Sequence, residues 1–160
     1  MKLDAALQAR LQFLCRVAEK EARYLQETDA RLFAEPLTAE SLRHIAEDPL
    51  LAERLDAFVS RFGRLQDTLG DKLLPTLLDA MAEQKGAAIE NLDRAEKLGW
   101  LESVDTWLEM RKLRNQMVHE YIEDLLILSS ALKAGHDFVP VLVAAMRKML
   151  LQANQRIGLA

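Results

Sequence analysis

The stretch that decides the fold is residues 49–70, PLLAERLDAFVSRFGRLQDTLG. Its large apolar residues recur in alternating steps of four and three: Leu51, Leu55, Phe58, Phe62, Leu65 and Leu69. This spacing puts all of these side chains on one face of an α-helix. Asp48-Pro49 marks the start of the helix, because an N-cap acid followed by proline at the first helical position favours initiation. We expect this helix in the core and expect Pro75 to kink or end it.

Helical spacing continues on both sides of this segment, and alternation of apolar and polar residues is nearly absent. Before it, helices are predicted at about residues 3–33, ended by Glu35-Pro36, and at 39–46, capped by Thr38. After it, a turn or two should reach Ala82, a short helix at 88–98 should close at Gly99, and another should run from its cap at Ser103 through Met117. The last helical segment is predicted to divide near Gly135, with Asp137 as the cap of a final helix that reaches about Gln155. The expected fold is all-α, an up-and-down bundle of about five to six helices forming a single domain over residues 1–160.

The composition is typical of a globular domain and excludes several classes of site and function. Of the 160 residues, 50% are hydrophobic and 29% are charged, and the net charge of −4 disfavours a broadly basic nucleic-acid binder but not a local basic patch. Cys15 is the single cysteine, so an internal disulfide is excluded, and no Cys/His cluster has zinc-ligand spacing. No sequence motif indicates a metal or another cofactor. The early charges argue against a secretory signal, and no apolar run approaches membrane-spanning length, so we expect a cytoplasmic protein.

Several residues have simple structural interpretations. Gly63 and Gly70 lie on one side of the central helix, and close packing against another backbone would explain them. His44 and His136 lie near predicted helix ends, where caps or solvated surface positions are expected. Cys15 lies in an apolar helix and is interpreted as a small core residue.

One segment differs from the rest: Lys112-Leu-Arg114-Asn115-Gln-Met-Val-His119-Glu-Tyr121. Asn115 and His119 share one helix face, Arg114 and Tyr121 share another, and about 140° separates Arg114 from His119. Two copies of the helix facing each other would bring these groups together better than one. Arginine offers a forked donor to phosphate oxygens, and histidine can move a proton near neutral pH.

The pattern Arg114-Asn-x-x-x-His119-x-Tyr121 resembles the signature of HEPN domains, and more narrowly that of HepT-type toxins encoded beside a minimal nucleotidyltransferase antitoxin. Two other stretches resemble this group: Arg61-Phe-Gly-Arg-Leu-Gln-Asp-Thr-Leu-Gly-Asp-Lys-Leu, and Leu92-Asp-Arg-Ala-Glu-Lys-Leu-Gly99 leading to Trp107. The resemblance covers about residues 50–125, and roughly the first 48 residues have no counterpart in it.

The resemblance implies a homodimer whose motif helices form a composite, metal-independent ribonuclease site. It implies Arg114 and His119 as catalytic residues, Asn115 as a polar orienter, and Tyr121 as the residue that the antitoxin adenylylates. The local basic residues Arg111 and Lys112, joined by Arg64 from the central helix, are expected to contact RNA phosphates; no DNA or membrane partner is expected.

Two functions remain open from the sequence. The first is a toxin ribonuclease, in which His119 moves a proton and Arg114 stabilises charge on phosphorus. The alternative is a non-catalytic helical dimer that binds a minimal nucleotidyltransferase, for which Tyr121 matters and His119 does not. A purely structural interpretation of the motif also stays open: Arg114 extends along apolar surface to reach water, His119 caps a carbonyl, and Tyr121 is a core residue with its hydroxyl satisfied.

Overall fold

The computed structural model describes residues 3–119 and 124–158, and within these ranges the chain contains helices and no β-strand. The elements in chain order are α1 (Ala5–Leu32), α2 (Ala39–Arg43), a 3₁₀ turn (Ile45–Glu47), α3 (Pro49–Asp67), a π-helical turn (Thr68–Leu73), α4 (Leu74–Ala80), α5 (Ala88–Lys97), α6 (Val104–His119) and α7 (Leu125–Gly158). The prediction of an all-helical protein is confirmed. Tyr121 lies outside the described residues.

Helix α3 is the centre of the core, as its spacing predicts. Leu55, Phe58, Phe62 and Leu65 are buried, and α3 packs against α1, α6 and α7. Asp48 accepts a hydrogen bond from the amide of Leu51 at 3.1 Å, which confirms the predicted N-cap. The long helices α1 and α7 also pack on each other, so the three longest helices enclose a common core.

The chain stays helical through Pro75, although the regular helix α3 ends at Asp67 and a π-helical turn, Thr68–Leu73, precedes the proline. The amide of Leu74 donates to the carbonyl of Leu69, five residues back, which widens the helix in this turn. Proline cannot donate and its ring crowds the carbonyl four residues before it, so a widened turn accommodates it better than a regular one. The helix then continues to Ala80, close to the predicted end at Ala82.

The predicted break near Gly135 is wrong. The helix α7 runs unbroken through Gly135 and Pro140. A Cβ at Gly135 would lie 3.2 Å from a ring carbon of Phe58 and 3.3 Å from the sulfur of Met117. Gly135 therefore permits close packing and does not end a helix. His136 is consequently in the middle of a helix and not at a helix end.

The apolar character of α7 also corrects the expectation about membrane-spanning length. By length and composition alone, Leu125–Gly158 is long and apolar enough to cross a membrane. Its inward residues, including Leu132, Leu142 and Met149, are buried in the core against the other helices. Core packing thus accounts for the inward-facing apolar residues of this helix.

Candidate functional site

Helix α6 carries the motif and is fixed by one apolar face. The hydroxyl of Ser103 accepts a hydrogen bond from the amide of Thr106 at 3.2 Å, which confirms the predicted cap. The residues Trp107, Met110, Leu113 and Met117 follow at steps of three and four and are all buried. In this register the polar motif residues lie outside the buried face, with Arg114 half-buried beside it and Asn115 exposed.

Arg114 lies at the contact between α6 and α3, half-buried. Its Nη1 donates to the Oδ1 of Asp67 at 2.6 Å, and the side chains of Arg114 and Asp67 are 32% and 38% exposed. A charge-assisted bond of this length fixes the guanidinium in one direction. The motif arginine is therefore held in place by a carboxylate to which the sequence analysis assigns no role in the site.

Gly63 makes this position of Arg114 possible. A Cβ at residue 63 would lie 2.8 Å from the Cζ of Arg114 and 3.0 Å from its Cδ, closer than real side chains approach. The guanidinium therefore crosses α3 where α3 has no side chain. Gly70 similarly faces the indole of Trp107, whose nearest atom would lie 3.3 Å from a Cβ at residue 70. Close packing at both glycines is confirmed, but the neighbours are side chains of α6 and not a backbone.

Arg111, one turn earlier on α6, forms a second ion pair with an aspartate. Its Nη2 donates to the Oδ1 of Asp71 in the π-helical turn at 3.1 Å. Two arginines three residues apart on α6 thus face two aspartates four residues apart on the central segment. The predicted basic patch beside the motif is partly neutralised by these carboxylates. Both aspartates belong to the stretch from Arg61 that carries the resemblance, but their spacing alone does not indicate that they contact α6.

The remaining motif residues are exposed or lie outside the described residues. Lys112, Asn115 and Gln116 are exposed on α6. His119 is the last residue of α6 by its backbone, and its side chain lies outside the described part of the structure, as does all of Tyr121. The structure therefore places Arg114 against α3 and leaves Asn115 exposed, and the predicted relation between Arg114 and His119 stays a prediction.

The predicted phosphate contact Arg64 lies exposed on α3, next to Gly63. Its Nη2 donates to the hydroxyl of Ser60 at 3.2 Å. On the inner side, Glu21 of α1 accepts a hydrogen bond from the hydroxyl of Thr68 at 3.0 Å. Burial raises the pKa of Glu21, while the bond from Thr68 and the charges of Arg64 and Lys72 act in the opposite direction.

An exposed apolar area adjoins the end of the motif helix. Leu126 is 71% exposed and Val118 is 53% exposed, with Ile127 also exposed. A shallow groove between α6 and α7 is lined by Leu113, Gln116, Leu126, Ile127, Ser130, Ala131 and Ala134. Large side chains exposed together in this way are typical of surfaces that bind another protein.

Cys15 and the two histidines outside the motif lie on other elements of the fold. Burial raises the pKa of Cys15 to about 11, which agrees with its prediction as a core residue. His44 is exposed at the end of α2, between Glu40 and Glu47. The side chain of His136 is 43% exposed, which agrees with the predicted solvated position, although it lies within α7 and not at a helix end. It also contacts Asp29 of α1 at 2.7 Å and stacks on Phe33. Among the described residues, no three His, Cys, Asp or Glu side chains come together as a metal site.

Known proteins offer no match to this chain. Neither a family model, nor a curated protein, nor a solved structure matches it. The HEPN resemblance thus stands on the residues quoted above.

Proposed function

We propose that the chain is a HEPN-type toxin: a metal-independent ribonuclease that acts as a cytoplasmic homodimer and is paired with a minimal nucleotidyltransferase antitoxin. The observation that carries the proposal is the position of Arg114. Its guanidinium is bonded to Asp67 at 2.6 Å, and the Arg114 side chain as a whole is 32% exposed, on the helix whose last residue is His119. A fixed and accessible guanidinium is suited to bind the charge that develops on a phosphate during cleavage.

In the proposed reaction, the 2′-hydroxyl of a ribose attacks the adjacent phosphorus. A bond forms between the 2′-oxygen and phosphorus as the 2′-hydroxyl gives up its proton, and the bond to the 5′-oxygen breaks as that leaving oxygen takes up a proton. His119 is assigned the proton transfer, since imidazole titrates near neutral pH. Arg114 is assigned the stabilisation of the phosphoryl oxygens, and Asn115 the orientation of the substrate.

The apolar area beside the motif supports the proposed homodimer. Val118, Leu126 and Ile127 are exposed next to the end of α6, where two motif helices would have to meet. Pairing this surface with its copy would cover the apolar groove and bring two sets of motif residues to one place. A specific interface of this kind buries at least about 1,000 Å².

The alternative, a non-catalytic partner of a nucleotidyltransferase, is favoured by one observation. Because Asp67 compensates the charge of Arg114, the arginine has a structural role that needs no RNA. The two functions are separated by incubating purified protein with RNA. The ribonuclease requires that Arg114→Ala and His119→Ala each abolish cleavage while His44→Ala, a change of an exposed histidine at the end of α2, leaves it intact. Equal cleavage by all four proteins would contradict the assignment of the site.

The proposed antitoxin reaction assigns Tyr121 as the acceptor of AMP. The hydroxyl oxygen of Tyr121 would attack the α-phosphorus of ATP, the bond to the β-phosphate oxygen would break, and pyrophosphate would leave. The added phosphodiester would place a negative charge close to the motif and compete with an RNA phosphate. Mass spectrometry after incubation with ATP and the partner transferase should find a mass gain of AMP on the Tyr121 peptide, absent in Tyr121→Phe. Modification that persists in the Phe variant would overturn the assignment.

A further inference from the structure

A second group of arginines lies across the contact between α1 and α3, and its charges are not paired with carboxylates of the described residues. Tyr24 of α1 is 42% exposed. The guanidinium carbon of Arg23 lies 5.3 Å from the centre of its ring, and that of Arg61, from α3, lies 5.5 Å away. Two guanidinium groups thus share one exposed aromatic ring, at distances typical of cation–π contact.

Arg61 is held in this position by neutral acceptors. Its Nη1 donates to the backbone carbonyl of Tyr24 at 3.2 Å and to the hydroxyl of Thr28. Across residues 3–119 and 124–158, no carboxylate lies within 4 Å of the guanidinium groups of Arg23, Arg61 or Arg64. These arginines therefore differ from Arg111 and Arg114 on α6, each of which has an aspartate partner.

The arginines of α3 lead from Tyr24 toward the motif. Arg61, Arg64 and Asp67 are three residues apart and form one continuous ridge of the helix. At a rise of 1.5 Å per residue, Arg61 lies about 9 Å along the helix axis from Asp67, the residue to which Arg114 is bonded. Glu21, whose charge interacts with Arg64, is bonded inward to Thr68.

We propose that Arg23, Tyr24, Arg61 and Arg64, named here the α1–α3 surface, bind single-stranded RNA and lead it along α3 to Arg114. This proposal rests on the proposed ribonuclease function, because the strand bound by the α1–α3 surface is taken to be the substrate of the ribonuclease. The guanidinium groups of Arg61 and Arg64 bind successive phosphates, since arginine binds phosphate oxygens with paired donors. The exposed Tyr24 ring, with the two guanidinium groups beside it, is the surface on which an unstacked base of the strand stacks.

Single-stranded RNA is the occupant that these groups favour. The bases of a duplex are stacked on each other and cannot stack on the Tyr24 ring. A duplex would therefore contact only the charged arginines of this surface. An acidic protein surface would likewise use the charges and leave the ring without a role. The net charge of −4 limits the binding to a local contact, and four side chains on one surface match such a contact.

The test is fluorescence anisotropy with the full chain and an uncleavable probe, a labelled 2′-O-methyl single strand of about twelve nucleotides. Tyr24→Leu should weaken binding at least about fivefold. Arg64→Gln should reduce the slope of log K against log salt by about 0.7, the loss of one phosphate contact. Arg64 bonds only Ser60 among the described residues, so this variant spares the helix contact that Arg61→Gln would break. Arg94→Gln, which removes the same charge from α5, is the matched control and should leave binding unchanged.

Two results would overturn the proposal: equal affinity of wild type, Tyr24→Leu and Arg64→Gln, or equal loss by Tyr24→Leu for the single strand and for duplex DNA of the same sequence. The latter would identify a general attraction for polyanions. Failure of the ribonuclease proposal has a different signature, because the α1–α3 surface would still bind the probe while no RNA is cut. Conversely, RNA cleavage with unaltered binding by the α1–α3 variants would leave the ribonuclease standing without this surface.

Discussion

Replacing Gly63 by alanine should displace Arg114 without changing any polar group of the site. The new Cβ would lie 2.8 Å from the Cζ of Arg114, so the guanidinium must leave its bond with Asp67. Alanine gains about 1 kcal/mol over glycine in a helix interior, and an ion pair of this exposure contributes about 0.2–1 kcal/mol. The two effects oppose each other. The free energy of unfolding of Gly63→Ala should therefore stay within about 1 kcal/mol of wild type, while RNA cleavage falls.

A double-mutant cycle measured by urea unfolding tests this reasoning independently of any RNA activity. Asp67→Asn should cost about 0.2–1 kcal/mol in the wild type and nothing further in Gly63→Ala, where the pair is already broken. Gly158→Ala serves as the matched background, since a Cβ there meets no atom within 4 Å. If Asp67→Asn costs the same in the Gly63→Ala background as in the wild type, the proposed steric control of Arg114 is refuted.

Three further predictions concern the core, the proposed interface and a buried carboxyl. Phe62→Ala should cost about 3–5 kcal/mol because the ring is fully buried, and a loss below about 1 kcal/mol in urea melting would contradict its place in the core. Leu126→Asp should convert a dimer of twice 18.1 kDa into a monomer in sedimentation at micromolar concentration, whereas a wild type that already sediments as a monomer would contradict the proposed interface. Since burial raises the pKa of Glu21 above 4.5, the folded protein binds this proton more tightly than the unfolded chain. The free energy of unfolding of the wild type, measured relative to that of Glu21→Gln, should thus decline as pH rises from 4.5 through the folded pKa of Glu21. A difference between the two proteins that does not change with pH would refute this prediction.

The sequence predicts the helices well where its apolar spacing decides them. The stripe from Leu51 to Leu69 and the start signal at Asp48-Pro49 are found as predicted because burial and capping act locally. The wrong prediction at Gly135, and the π-helical turn that the sequence does not predict before Pro75, have the opposite cause. A π-helical turn accommodates the proline, and packing on Phe58 and Met117 gives the glycine its role, so tertiary contacts override the local signals.

The candidate site could be predicted only in part from the sequence. Helical spacing places Arg114 and Asn115 near each other on α6 but cannot indicate which side chain meets the guanidinium. That partner, Asp67, comes from a helix 47 residues earlier, and the contact depends on the absence of a side chain at Gly63. Similarly, the pairing of His136 with Asp29 joins residues 107 apart, which no local pattern records.

The most direct test of the proposed ribonuclease is the identity of its products. A defined RNA oligonucleotide is incubated with wild type or His119→Ala in excess chelator, and the fragments are analysed by mass spectrometry. Attack by the 2′-hydroxyl predicts a 2′,3′-cyclic phosphate and a 5′-hydroxyl end from the wild type, with a rate about 10²–10⁴-fold lower for His119→Ala. Fragments that carry a 3′-hydroxyl and a 5′-phosphate, or equal rates for the two proteins, would contradict the account.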